Sequence, residues 1–440
     1  MKKLGIYFLF AIVAASSCSK KSDSAFSESP DQRLNETLSA DQATLVKAPY
    51  GWRGLIYPKG LTGGVVGFYF KFNDSNRVEM FSDFDSASAV TPMTASYRLK
   101  ALQQPSLVFD TYSYVHVLAD PNGSVNGGSY GSGLSSDFEF AIDSIGGDTV
   151  HLTGRFNGTK AVLIKATQQE ANSYYSKQFS NRLFLNISKY LTYFKRLVVG
   201  GHQYEVLVDQ VGRTITFTWV DDSGNVHKAT VGYYFTTNGV AFSPAFTDGS
   251  IIISGFSNIT WNAGTTTLSF TINGNAAGIV GSGTPIQPDL DAPHRWWQFA
   301  VDKGLWWISE KGFHVNGVDD AYGITKTTSF FYLMYRPKYS TYNGSPYDVA
   351  GPIQLLPDNS LNQDYALAYR TPNFTTDGRL TFPYLGQLGN IPASDSVAMA
   401  KTRIQFSDSY GYYLVQTSDI SYDMVSARDG KAWVTWIWPF

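Results

Sequence analysis

The chain has 440 residues, a formal net charge of −2, 16% charged residues and 15% aromatic residues. A balance so close to neutral excludes a nucleic-acid polyanion held by bulk positive charge, and the length exceeds what one hydrophobic core usually serves, so two or three domains are expected. The single cysteine, Cys18, excludes an internal disulfide and a thiolate metal cluster.

Met1-Lys2-Lys3 is a cationic start, Leu4 to Ala15 an apolar run shorter than a bilayer span, and Ala15-Ser16-Ser17 a small-residue cleavage site. This is the pattern of a secretory signal over residues 1–17. Cys18, directly after it, is the expected acylated (palmitate-bearing) residue of a bacterial lipoprotein, with the membrane as partner through that lipid. No later apolar run reaches the 18 to 20 residues of a transmembrane helix. Residues 18–30 are polar and aperiodic and read as a flexible tether. The expected location is the outer membrane, at the cell surface rather than on the periplasmic face, although Lys20 and Lys21 open the tether where an acidic export stretch would stand.

Residues 31–166 read as a β domain with a leading helix. Asp31 to Lys47 has a loose apolar face at Leu34, Leu38, Ala43 and Val46, and Pro49 stops it. Strands are predicted at Val65 to Phe72, Arg77 to Phe84, Ala95 to Lys100, Leu107 to Asp110, Phe138 to Ile142, Thr149 to Arg155 and Ala161 to Lys165, with Pro121 to Ser136 a Gly/Ser/Asn loop. Residues 167–200 change period and are expected to be a helical connector of one or two helices ending at Gly200-Gly201. Residues 201–285 read as a second β lobe. Residues 286–440 read as an aromatic-rich β domain, with a short helix at Ser394 to Lys401. Val78 to Asp85 resembles Ile215 to Asp222, and each is followed by a tyrosine strand (Tyr97; Tyr233 and Tyr234) and a short aromatic-ended strand (Leu107 to Phe109; Val240 to Phe242). This faint internal repeat suggests two related lobes. The fold class is thus mainly β, with two or three sandwich-like or barrel-like lobes.

No catalytic motif stands out. The six histidines include no HExxH pair, so neither a metal nor any other cofactor is expected. Gly127-Gly128-Ser129-Tyr130-Gly131 matches the serine-hydrolase string but lies in the loop with no following helix. The most suggestive polar group is Asp110, His116, Asp120, Asp137 and Glu139. On a strand, Asp137 and Glu139 would share one face and Phe138 and Phe140 the other. Such a carboxylate pair could serve as acid and base in glycan hydrolysis, or the strand could simply have one wet and one packed face. Trp296-Trp297 and Trp306-Trp307, placed on strands, would each leave one ring outward, so Trp297 and Trp306 are candidate ligand-binding planes beside Asp110, His116, Asp137 and Glu139.

Asp31-Gln32-Arg33-Leu34, Gly51-Trp52-Arg53-Gly54, Ser82-Asp83-Phe84, Leu107-Val108-Phe109-Asp110-Thr111-Tyr112, Asp120-Pro121, Asp137-Phe138-Glu139-Phe140 and Leu152-Thr153-Gly154-Arg155 together resemble a family of Bacteroidetes lipoproteins known only as a domain of unknown function (4302 type). The similarity is densest over residues 31–165. It implies genes beside SusC/SusD-type uptake systems, often near a zinc-binding metallopeptidase, and supplies no catalytic residues. The expected function is therefore a non-catalytic, lipid-anchored accessory that binds a nutrient, glycan or peptide, or docks on a SusC/SusD-like uptake complex. The alternative is a glycan hydrolase using Asp137 and Glu139.

Overall fold

A computed structural model describes residues 29–439. The signal sequence, Cys18 and nearly all of the tether lie outside the described residues. The chain forms two compact units: one of residues to Ile56 with Phe68–Phe81 and Pro92–Ala171, the other of Tyr57–Gly67, Ser82–Thr91 and Asn172–Phe440. No helix among the described residues is long and apolar enough to cross a membrane.

In the first unit the leading helix is Pro30–Val46, with the Ser29 hydroxyl accepting from the Gln32 amide at 3.1 Å as its N-cap. Eight strands, from Trp52–Tyr57 to Lys160–Lys165, then close into a barrel. Its interior is aromatic. Trp52, Phe68, Phe70, Phe72, Tyr97, Phe109 and Phe140 are all at most 2% exposed, and neighbouring rings meet at 4.9 to 6.4 Å. Rings of that size fill an eight-stranded lumen, so the barrel is a packed core with no channel through it. Gly51 has φ +74°, and a Cβ there would stand 2.5 Å from the Phe70 carbonyl oxygen, so only glycine lets the chain enter the barrel here.

The second unit holds another closed eight-stranded barrel and a twelve-stranded antiparallel sheet. The expected helical connector is corrected here. Only Gln168–Tyr175 is α-helical; Gln178–Ser180 and Leu183–Lys189 are 3₁₀ turns, and Phe194–Val199 is a strand. Gly200 and Gly201, at φ +56° and +84°, are the two-residue turn that pairs Phe194–Val199 with His202–Asp209. The apolar residues from Phe194 onward therefore serve a strand, which also pairs with Asn275–Ser282 and closes the second barrel. The repeat phrases fall on matching strands of the two barrels: the third (Arg77–Ser82; Thr214–Val220), the fourth (Met93–Leu102; Val226–Thr236) and the fifth (Gln104–Phe109; Gly239–Asp248).

On the sheet of the C-terminal part, Leu333 and Tyr335 join one buried cluster with the helices Ala292–Lys303 and Ser396–Phe406, while Tyr332 and Met334 alternate into a smaller cluster on the opposite face. The tryptophan expectation is corrected by these elements. Trp296 and Trp297 lie on a helix, where neighbours are about 100° apart and not on opposite faces, and both are buried at 0% and 5% exposure.

Candidate ligand site on the first barrel

The site is built where two loops meet at the ends of adjacent barrel strands. Gln104–Phe109 pairs with Glu139–Gly146, which pairs with Thr149–Gly154, so Phe140 lies opposite Leu107 and Gly154. Where that strand begins, the Phe138 carbonyl accepts from the Phe109 amide (3.0 Å) and the Glu139 carbonyl accepts from the Arg155 amide (3.0 Å). The glycine-rich loop is ordered around Asn126, whose Nδ2 donates to the carbonyls of Val117 (2.8 Å) and Asp120 (2.9 Å) while its Oδ1 accepts from Gly128 (2.9 Å). A Cβ at Gly133 would meet the Asp120 carbonyl oxygen at 2.1 Å, so close packing requires glycine there. One helical turn, Gly123–Asn126, precedes Ser129, and Ser129 pairs back with Gly133; no helix leaves the turn as a hydrolase elbow needs.

Asp137 anchors the second loop. It is 4% exposed. Its Oδ1 accepts from the amides of Phe156 (2.9 Å) and Asn157 (2.8 Å), and its Oδ2 from that of Thr159 (3.0 Å). Asn157 Nδ2 returns a bond to the Ser136 carbonyl at 2.7 Å. A Cβ at Gly154 would lie 2.0 Å from Asp137 Oδ2, so the carboxylate occupies space that only glycine leaves open. Both oxygens are committed to backbone amides, which makes Asp137 a clamp for residues 155–159. Replacing Asp137 with alanine strands three amides and is expected to cost about 2–3 kcal/mol of stability. Urea denaturation would measure it, and a loss below about 1 kcal/mol would show that the loop holds itself.

The clamped loops enclose a cavity of about 500 Å³ lined by Pro121, Ser136, Phe138, Glu139, Arg155 and Phe156, among others. Phe156 is 93% exposed and Phe138 38%, so two rings offer apolar surface at its wall. Phe138 is fixed by stacking on His116 (4.4 Å between centroids, 23°), which also stacks on Tyr112 (5.6 Å). His116 Nδ1 lies 3.1 Å from the Ser113 hydroxyl, and burial of the imidazole pushes its pKa down. The Glu139 carboxylate, half-buried, has no hydrogen-bond partner among the described residues. Arg155 Nη1 donates to the Leu102 carbonyl (2.7 Å) and the Ser106 hydroxyl (3.3 Å).

Of the residues singled out from the sequence, Asp137 and Glu139 line this cavity and His116 supports its wall. Asp110 does not line it. Its carboxylate takes both Nε and Nη2 of Arg98, and those hydrogen bonds hold it below the usual carboxylate range. Phe138 does not share the core face with Phe140, because the regular strand begins only at Glu139. Trp297 Nε1 donates to the buried Asp348 at 2.7 Å, and Trp306, half-buried, lies under the Arg336 guanidinium at 5.4 Å; neither belongs to the first unit. Sequence reading passed over Phe156 and Ser136. A large aromatic inside the turn-forming stretch Arg155-Phe156-Asn157-Gly158 is a legible sign of an exposed ring; nothing in the sequence marks Ser136.

No curated protein matches the chain. Among solved structures, a DNA polymerase III subunit beta (DnaN sliding clamp) from Bartonella birtlesii matches at 8% identity over 92% of this chain and 97% of that one, but with a TM-score of 0.16 that carries no argument. Residues 22–263, more than half of the chain, match the family described as "Domain of unknown function (DUF4302)", and the chain belongs to that family.

Proposed function

We propose that the chain is a lipid-anchored, non-catalytic envelope protein of the outer membrane that holds a nutrient ligand, glycan or peptide, in the cavity of its first barrel and serves a SusC/SusD-like uptake complex. The observation that carries this reading is Phe156. A phenylalanine 93% exposed on a clamped loop, at the wall of a cavity of about 500 Å³, spends apolar surface on water unless something covers it. The anchor rests on the signal pattern and Cys18. The hydrolase reading loses support because Asp137 is consumed by three amides and leaves Glu139 without an acid or base partner in the cavity.

Two variants of the full chain test the two halves. Cys18→Ala is expected to move the protein from the membrane to the soluble fraction. Phe156→Ala is expected to leave it on the membrane while weakening ligand retention by roughly fivefold to tenfold, the worth of one aromatic contact. A Cys18→Ala protein that stays on membranes removes the anchor. Unchanged retention in Phe156→Ala removes the site.

A further inference from the structure

We propose that the ligand of this cavity is a neutral saccharide, bound with a ring against Phe156 and a hydroxyl on Ser136; this rests on the reading of the cavity as a ligand site. Ser136 is 3% exposed, its Oγ has no hydrogen-bond partner among the described residues, and the residue lines the cavity. A buried hydroxyl without a partner costs folding free energy, so an orphan on a residue that lines a cavity marks a place where a partner arrives from outside.

The rest of the lining says what kind of partner. Phe138 and Phe156 supply apolar planes, which suit the C–H faces of a sugar ring. Glu139 supplies an acceptor and Arg155 keeps Nε and Nη2 without partners among the described residues, so the residues lining one cavity bring both an acceptor and a donor. A sugar hydroxyl both donates and accepts, and so can satisfy Ser136, Glu139 and Arg155 alike. Asp137 and Glu139 outnumber the one arginine in the lining, which disfavours an anionic ligand. An extended peptide gains most of its affinity from main-chain bonds to a free strand edge, and a closed barrel has none.

The test is calorimetric titration of the full chain in detergent micelles with neutral hexasaccharides (β-1,4-glucan, β-1,4-xylan, α-1,4-glucan and mannan) and, separately, with mixed-sequence hexapeptides. At least one saccharide is expected to bind, Phe156→Ala to weaken it roughly fivefold to tenfold, and Ser136→Ala to weaken it roughly threefold to tenfold. The melting midpoint of Ser136→Ala should be unchanged or higher, because the variant removes a buried orphan hydroxyl. Saccharide binding that ignores Ser136→Ala, or that drops only because the variant melts lower, overturns the proposal. Peptide binding that is lost in Phe156→Ala, with no saccharide binding, overturns the saccharide and leaves the cavity a ligand site. Binding of nothing, or binding indifferent to Phe156→Ala, overturns both.

Discussion

Replacing Asp83 with alanine is expected to lower the stability of the second unit by about 3–5 kcal/mol, the cost of leaving one member of a buried ion pair unpaired. The Asp83 side chain is fully buried, and that of Arg213 is 10% exposed. Asp83 Oδ1 accepts from Arg213 Nη1 at 2.6 Å and from the Gly67 amide at 2.9 Å, and Oδ2 accepts from the Phe235 amide at 2.7 Å. The same guanidinium donates through Nη2 to the carbonyls of Asp83 (2.7 Å) and Phe84 (3.0 Å). Arg182 adds a second, half-buried cation, with Nη1 on the Asp83 carbonyl at 2.9 Å and its guanidinium 4.2 Å above the Phe235 ring. Burial pushes the Arg182 pKa down, so this site already holds positive charge against the tendency to lose it. Asp83→Ala would leave two guanidinium groups with one carboxylate fewer and two amides unpaired. Asp83→Asn keeps the shape, loses the charge and turns an N–H toward a donor, so it too should destabilise, by somewhat less. Arg213→Met in the Asp83→Ala background should recover part of the loss, because it removes the stranded charge. Tryptophan fluorescence in urea reads the right unit, since Trp52 alone of the ten tryptophans lies in the first. A loss below about 1 kcal/mol, the range of surface pairs, would show that water reaches the site.

Asp83 also shows where reading a sequence stops. Ser82-Asp83-Phe84 is conspicuous as a phrase, yet its partners Arg213 and Phe235 are 130 and 152 residues away. Nothing local to either end specifies that pairing. The strands were legible because their alternation and turn residues are local properties, and the mainly β class with barrel-like lobes followed from them. The repeat was legible for the same reason, each phrase keeping the pattern of its own strand. Gln168 to Leu197 misled because the helical spacing of Leu183, Ile187, Leu191 and Phe194 is also met by 3₁₀ turns running into a strand, and the deciding feature was the pair of left-handed glycines after it. At the site, Asp137 and Glu139 were found by their spacing. The role of Asp137 was not, since its three donors come from residues 156 to 159, and the phrases around Asp137 and Gly154 join only when the strands pair.

The tryptophan pair Trp296-Trp297 separates ring packing from hydrogen bonding within one helix. Trp296→Ala is expected to cost about 3–5 kcal/mol, the usual range for emptying a large aromatic from a core. Its ring is fully buried and meets Tyr335 at 4.7 Å, Trp436 at 6.0 Å, Trp307 at 6.1 Å and Phe382 at 6.4 Å, so one deletion opens a void touching four other rings. The loss is also felt on the helix, because Trp296 lies with Ala292, Trp297 and Ala300 on the buried side of Ala292–Lys303, in the cluster it shares with the sheet. Trp296→Phe should cost far less than the alanine variant, since the indole Nε1 has no hydrogen-bond partner among the described residues and the phenyl ring keeps most of the contacts. Trp297→Phe deletes the same atoms but breaks the 2.7 Å bond to Asp348, a carboxylate that is fully buried and whose pKa burial drives up. Asp348 would keep the Tyr335 hydroxyl (2.5 Å) and the Lys338 amide (2.9 Å). Losing one bond to a carboxylate adds about 1.5–3 kcal/mol, so Trp297→Phe should be the more damaging of the two phenylalanine variants. Equal urea midpoints for the pair would mean that the indole bond to Asp348 contributes nothing, and that packing alone holds this helix on its sheet.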